Sequence, residues 1–160
     1  MHVATAAIVV LLAGCAGYLE SNTHTIHADP DGPCLQRVRR EHQKKGGQLF
    51  KGGEPVDPEE WNVWPDTVER AVANEPQSAA LAHRAGIYLG IEEGFTVAFV
   101  ASIVTIYAGA AAGSRDLAAG GFLTGVSSLA GTIAMGELKR RELNTAAETY
   151  NAWAAVNGCR

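Results

Sequence analysis

The residues able to do chemistry are few and scattered. The chain has three thiols, Cys15, Cys34 and Cys159. His24, His27, Asp29 and Asp31 crowd into one short stretch, and imidazole with carboxylate suits several divalent ions. No second cluster completes a site, so this stretch reads as a solvated linker, with no metal and no other cofactor expected. Glu59-Glu60 and Glu92-Glu93 pair carboxylates in sequence, but neighbours on a helix splay about 100° apart and do not face one scissile bond. There is no G-x-S-x-G elbow, no phosphate-binding loop, no C-x-x-C and no H-E-x-x-H. These observations predict a protein that is not an enzyme, with no catalytic residues and no small-molecule substrate.

The elements around these residues are set by how charge is distributed. The 160 residues suffice for one modest core, and 47% are hydrophobic against 19% charged, with a net charge of −4. Those averages exclude collagen-like, mucin-like and wholly disordered chains. They conceal a sharp segregation. No Asp, Glu, Lys or Arg precedes Glu20, and only Arg115 and Asp116 fall between Gly94 and Gly136. All other charges lie in residues 20–93 and 137–160.

The first segment, MHVATAAIVVLLAG, has an apolar run from Val3 to Leu12 broken only by Thr5. It is shorter than the ~20 residues a spanning helix needs and fits the ~7–15-residue apolar part of an export signal. Leu12-Ala13-Gly14-Cys15 follows directly and resembles the lipobox of bacterial lipoproteins. The resemblance implies cleavage after residue 14 and acylation of Cys15 by diacylglycerol and palmitate-type chains. At ~0.8 kcal/mol per buried methylene, three such chains would hold the protein on a membrane permanently. In that family an Asp after the cysteine retains the protein at the inner membrane. Ala16 stands there instead, which favours the outer membrane, with the mature chain facing the periplasm. With Cys15 acylated, Cys34 and Cys159 are an even remainder in an exported protein, and a disulfide between them is expected.

Residues 94–113 (GFTVAFVASIVTIYAGAAAG) and 118–136 (AAGGFLTGVSSLAGTIAMG) carry no charge. As helices at ~1.5 Å per residue each spans ~30 Å, the thickness of a bilayer core. The link Ser114-Arg115-Asp116-Leu117 is short enough to force an antiparallel hairpin. Ser114 is placed to cap the second helix, with Asp116 in its positive first turn. Gly109 and Gly113 are four apart, as are Gly121 and Gly125, and Ala130, Gly131, Ala134 and Gly136 continue the small residues of the second helix, a spacing that lets helices approach closely in a membrane. A buried soluble hairpin is the alternative. Lys139-Arg140-Arg141 follows the second segment, where the bias of basic residues towards the cytoplasm opposes a periplasmic placement. Pairing of Glu92 and Glu93 with this cluster across the hairpin softens that conflict.

The remaining segments read as helical. Leu35, Val38 and His42 share a face of a short helix over 34–45, ended by Gly46-Gly47. Its bases Arg37, Arg39, Arg40, Lys44 and Lys45, with Lys51, form either a solvated face, the favoured reading, or a surface for phosphate-bearing lipid. An exported protein has little access to nucleic acid, and none is expected as a partner. Asp57-Pro58-Glu59-Glu60 starts a helix that Pro65 stops, and Asp66 with Glu69 restarts one as a capping-box-like pair. Trp61 and Trp64 lie one turn apart and are read as packing near the hairpin base. A helix over Ser78–Gly90 runs into the first apolar segment. Another from Glu137 to Asn157 continues the second, with Leu138, Leu143, Ala147, Tyr150 and Ala154 partly periodic and Gly158 as its stop.

The expected fold is mainly α, an antiparallel hairpin of two long helices with short helices from the charged region before it. Its parts are a signal peptide (1–14), a lipid anchor and tether (15–33), a charged helical region (34–93), the apolar hairpin (94–136) and a C-terminal helix (137–160). This order, with Pro58-Glu59-Glu60-Trp61 and Ala146-Ala147-Glu148-Thr149-Tyr150-Asn151, resembles a group of small uncharacterised bacterial envelope proteins. The resemblance brings no catalytic residues. The function expected is that of a lipid-anchored envelope protein with a structural or interaction role in a larger assembly. It would contact membrane lipid through acylated Cys15 and the hairpin, and other envelope proteins besides. A membrane-active or pore-forming component, and a soluble periplasmic binding module with the hairpin as core, are the alternatives.

Overall fold

The computed structural model describes residues 32–38, 47–57 and 64–159. It is mainly helical, and its two longest helices pack against each other. In chain order the elements are β1 (Leu35–Val38), β2 (Gln48–Lys51), β3 (Glu54–Pro55), α1 (Pro65–Ala71), α2 (Pro76–Ala111) and α3 (Arg115–Asn157). Contacts divide the chain into two units: residues up to His83 together with Arg140 onwards, and residues Arg84–Lys139.

In the first unit the strands form an antiparallel sheet in the order β1-β2-β3, with Leu35 opposite Lys51 and Arg37 opposite Leu49. The β2–β3 turn is Gly52-Gly53, with φ of 60° and 87°. A two-residue hairpin with positive φ at both positions matches the twist of the strands, and glycine adopts it without steric cost. Pro55 lies in the edge strand, where a missing N–H removes no ladder bond.

Strand β1 replaces the helix expected over 34–45. Leu35 and Val38 fit a helix by spacing, but the segment is too short for local preference to prevail. Pairing with β2 and the covalent link at Cys34 decide its conformation. Residues 39–46 of that expected helix, and the Pro58–Glu60 helix start with Trp61, lie outside the described residues. Pro65 opens α1, because its fixed φ and absent N–H suit the first helical position. Trp64 is the N-cap and makes no side-chain capping bond. Asp66 is therefore within the first turn, where it favours the helix through its charge and lies 3.8 Å from Arg70.

Helix α2 begins two residues before the expected Ser78. The Glu75 carboxylate accepts hydrogen bonds from the backbone N–H groups of Gln77 and Ser78, and Pro76 follows at the first position. The Ser78 hydroxyl and these two N–H groups hold the Glu75 carboxyl below its ordinary range.

The core of this unit gathers Leu35, Leu49, Val68, Val72 and Leu81 with Leu143, Ala147, Tyr150 and Ala154 of α3. The last four recur at helical spacing and line one stripe of α3. Asn151, beside Tyr150, finishes the open side of β1. Its Oδ1 accepts from Leu35 N–H at 3.0 Å and its Nδ2 donates to Leu35 C=O at 3.4 Å. Cys34 and Cys159 are joined in a disulfide with a Cα–Cα distance of 5.4 Å across 125 residues of sequence. Helix α3 ends at Gly158, whose φ of 80° suits a left-handed C-terminal cap.

Candidate functional site

The unit of residues Arg84–Lys139 is the feature that sets this chain apart, and its organisation follows from where its small residues fall. Gly109 lies against the backbone of α3, with an added Cβ coming to 2.5 Å from Ala118 N. Gly121 faces Ile106 and Ser102, Gly125 faces Ser102, and Gly131 lies under the Phe95 ring. At Gly109 and Gly121 the helices approach until main chain meets main chain, while Gly125 and Gly131 make room for a side chain of α2, as small-residue spacing does between membrane helices. Gly113 does something else. Its φ is 67° and nothing lies within 4 Å of where a Cβ would be. It closes α2, with its N–H donating to Ala110 C=O at 3.3 Å and the next N–H, of Ser114, to Gly109 C=O at 2.9 Å. It is a turn residue and not a helix-packing one, while Gly131, not among the four spaced glycines, takes a packing place. The contact of Gly131 with an aromatic four turns from the hairpin tip carries no signal in sequence beyond its being a glycine. Ser114 caps α3, its Oγ accepting from Leu117 N–H at 3.4 Å.

The seam between the helices is small and polar. Ser102, Ser128 and Thr132 are buried. Ser102 donates to Phe99 C=O at 2.6 Å and Thr132 to Ser128 C=O at 3.0 Å, so these hydroxyls are satisfied within their own helices without water. Phe95 and Ile106 reach into this seam, but several other large apolar side chains are exposed. Val97 is 69% exposed, Val104 64%, Phe122 61% and Leu123 67%. These exposed groups form an apolar surface larger than scattered single side chains, interrupted by the exposed Thr124 and Ser127. Both helices are long and apolar enough to cross a membrane.

At the open end of this unit, Lys139 Nζ donates to Glu92 Oε2 at 2.6 Å, with the side chains 3% and 6% exposed. Removing either partner of such a buried pair leaves an uncompensated charge. Glu93, the adjacent acid, is exposed. Near the tip, Ala101, Thr105, Gly120 and Thr124 line a groove of about 210 Å³ with Asp116 at its rim.

Cys15 and the His24, His27, Asp29, Asp31 stretch lie outside the described residues, as do Arg39, Arg40, Lys44 and Lys45 of the basic segment. Among the described residues, no group of three or more His, Cys, Asp or Glu is placed to hold a metal ion. Lys51, from that segment, lies 5.2 Å from the Tyr150 ring centroid and donates to Asn74 Oδ1 at 3.3 Å. No family model, no curated protein and no solved structure matches the chain.

Proposed function

We propose that this chain is a non-catalytic, lipid-anchored protein of the bacterial cell envelope. In this reading residues 94–136 sit in the bilayer as a helical hairpin, and the charged segments work as a structural or interaction part of a larger envelope assembly. The observation that carries the reading is the exposed apolar surface of the hairpin, with Val97, Val104, Phe122 and Leu123 outward and Ser102, Ser128 and Thr132 buried between the helices. Lipid tails satisfy the outward face, and intrahelical bonds satisfy the inward one. Acylated Cys15 is the second attachment, supported by the lipobox-like Leu12-Ala13-Gly14-Cys15. The Cys34–Cys159 disulfide supports an oxidising compartment such as the periplasm for the residues before and after the hairpin. An antiparallel hairpin returns the chain to the side it left, which is what that link requires. Ala16 after the acylated cysteine favours the outer membrane.

The test is expression in a bacterial host with labelled palmitate, followed by sucrose-gradient separation of the membranes. The reading expects label in the wild type, none in C15S, and wild-type protein in the outer-membrane fraction. Unlabelled protein in the soluble fraction overturns it.

One observation favours a second reading, a membrane-active or pore-forming component. The groove near the tip brings Ser102, Thr105, Thr124 and Asp116 into one hollow with Ala101, Leu117, Gly120 and Gly121, which gives an apolar hairpin a few polar side chains between its helices. Ion leakage from liposomes that is lost in G121L/G125L would favour it, and intact liposomes at every protein density would remove it. The third expectation, a soluble binding module with the hairpin as core, is disfavoured by the outward valines.

A further inference from the structure

The two helices are unequal as membrane segments. The best window of α2 has a mean hydropathy of 1.8, and that of α3 has 1.4. The charge-free part of α3 contains Thr124, Ser127, Ser128 and Thr132 together with five glycines, and Lys139 follows it closely. Thr124 and Ser127 are exposed, but the remaining features of α3 that lipid would reject are turned inward. Gly121, Gly125 and Gly131 sit on Ile106, Ser102 and Phe95. Ser128 and Thr132 are buried, and Lys139 is held by Glu92. Helix α2 turns fewer such groups inward, Ser102, Gly109 and Glu92, and its outward face is Val97, Val100, Val104 and Tyr107.

We infer that α3 enters the bilayer only as the partner of α2, and that Glu92 is the residue on α2 that admits it by neutralising Lys139. The hairpin is then a conditional anchor. Its first helix is held by its own apolarity, and its second is held only while the pair at the open end is made. An unpaired lysine directed into this seam opposes insertion, while loss of both charges together leaves an uncharged seam that lipid accepts. This inference rests on the membrane reading above, and its test separates the two.

The test is labelling of single introduced thiols in membrane-bound full-length protein by a water-soluble maleimide. V104C reports α2 and S127C reports α3, both at exposed positions. In the otherwise wild-type chain both sites are expected to be shielded. E92L is expected to raise labelling at S127C by roughly tenfold or more while V104C stays shielded. E92L/K139L is expected to restore shielding at S127C. Shielding of S127C unchanged in E92L overturns the inference. So does a parallel rise at both sites, or a double variant as labelled as E92L. Free labelling of both sites before any change at Glu92 overturns the membrane reading itself.

Discussion

Gly109 offers the sharpest quantitative test of how the helix pair is built. An alanine there would bring its Cβ to 2.5 Å from the backbone nitrogen of Ala118 and 3.0 Å from its Cα. Ordinary contact begins near 3.4 Å, so the overlap is roughly 0.9 Å, and it is with main chain, which has no rotamer to give. The helices must separate locally, and overpacking of this kind costs ~1–3 kcal/mol. Against it stands the helix propensity gained on replacing glycine, at most ~1 kcal/mol and less this close to the helix end. The expected net effect of G109A is a loss of ~1–2 kcal/mol. Gly120 provides the matched control, since nothing lies within 4 Å of its added Cβ. G120A should keep the propensity gain and stabilise by up to ~1 kcal/mol. G125A should fall between, because the atom it meets at 2.7 Å is the rotatable Ser102 Oγ. Equilibrium unfolding in detergent micelles, followed by far-UV circular dichroism, gives all three values. G109A as stable as G120A would refute the main-chain contact on which the packing account rests.

Three further outcomes are expected. Non-reducing electrophoresis should show the Cys34–Cys159 link, and C34A/C159A should lose ~5 kcal/mol by the loop-entropy relation for its 125-residue separation; two alkylatable thiols in the untreated protein would contradict it. E75A should cost ~1 kcal/mol as a lost helix cap. Because the Glu75 carboxyl is lowered in the folded chain from 4.5, that difference should be complete above about pH 4.5 and vanish as pH falls through the lower folded value; a difference that persists in strong acid would argue against a charged cap. N151A should free both main-chain groups of Leu35 and cost ~1–3 kcal/mol, with faster hydrogen exchange at the Leu35 amide; unchanged exchange there would remove the edge-capping role of Asn151.

What could be read from the sequence was whatever depends on long segments or on charge. Two uninterrupted charge-free runs joined by a four-residue polar link leave little choice but a hairpin, and Ser114 at its turn has the chemistry of a cap. The pairing of Glu92 with Lys139 followed from opposite charges at matching heights on antiparallel helices. The small sheet was hidden because Leu35 and Val38 are as compatible with a helix as with a strand, and the deciding partner, β2, lies ten residues further on. Its one local mark, Gly52-Gly53 between Lys51 and Glu54, is a two-residue hairpin signal. Pro65 and Pro76 illustrate the same ambiguity: a proline ends one helix or begins the next, and only the residues after it distinguish the two. Among the glycines, spacing placed Gly109, Gly121 and Gly125 on the inner face. It could not separate Gly113, which lies past the helix end and is needed for its positive φ, nor show that Gly131 makes room for an aromatic ring, since Phe95 is brought to it by the fold.

The central claim is that the outward face of the hairpin meets hydrocarbon. A spin label at V104C in protein reconstituted into liposomes tests it directly, by comparing collisions with oxygen, which concentrates in the bilayer core, and with a water-soluble nickel complex. The account predicts strong relaxation by oxygen and little by nickel. Strong relaxation by nickel at this position would contradict it.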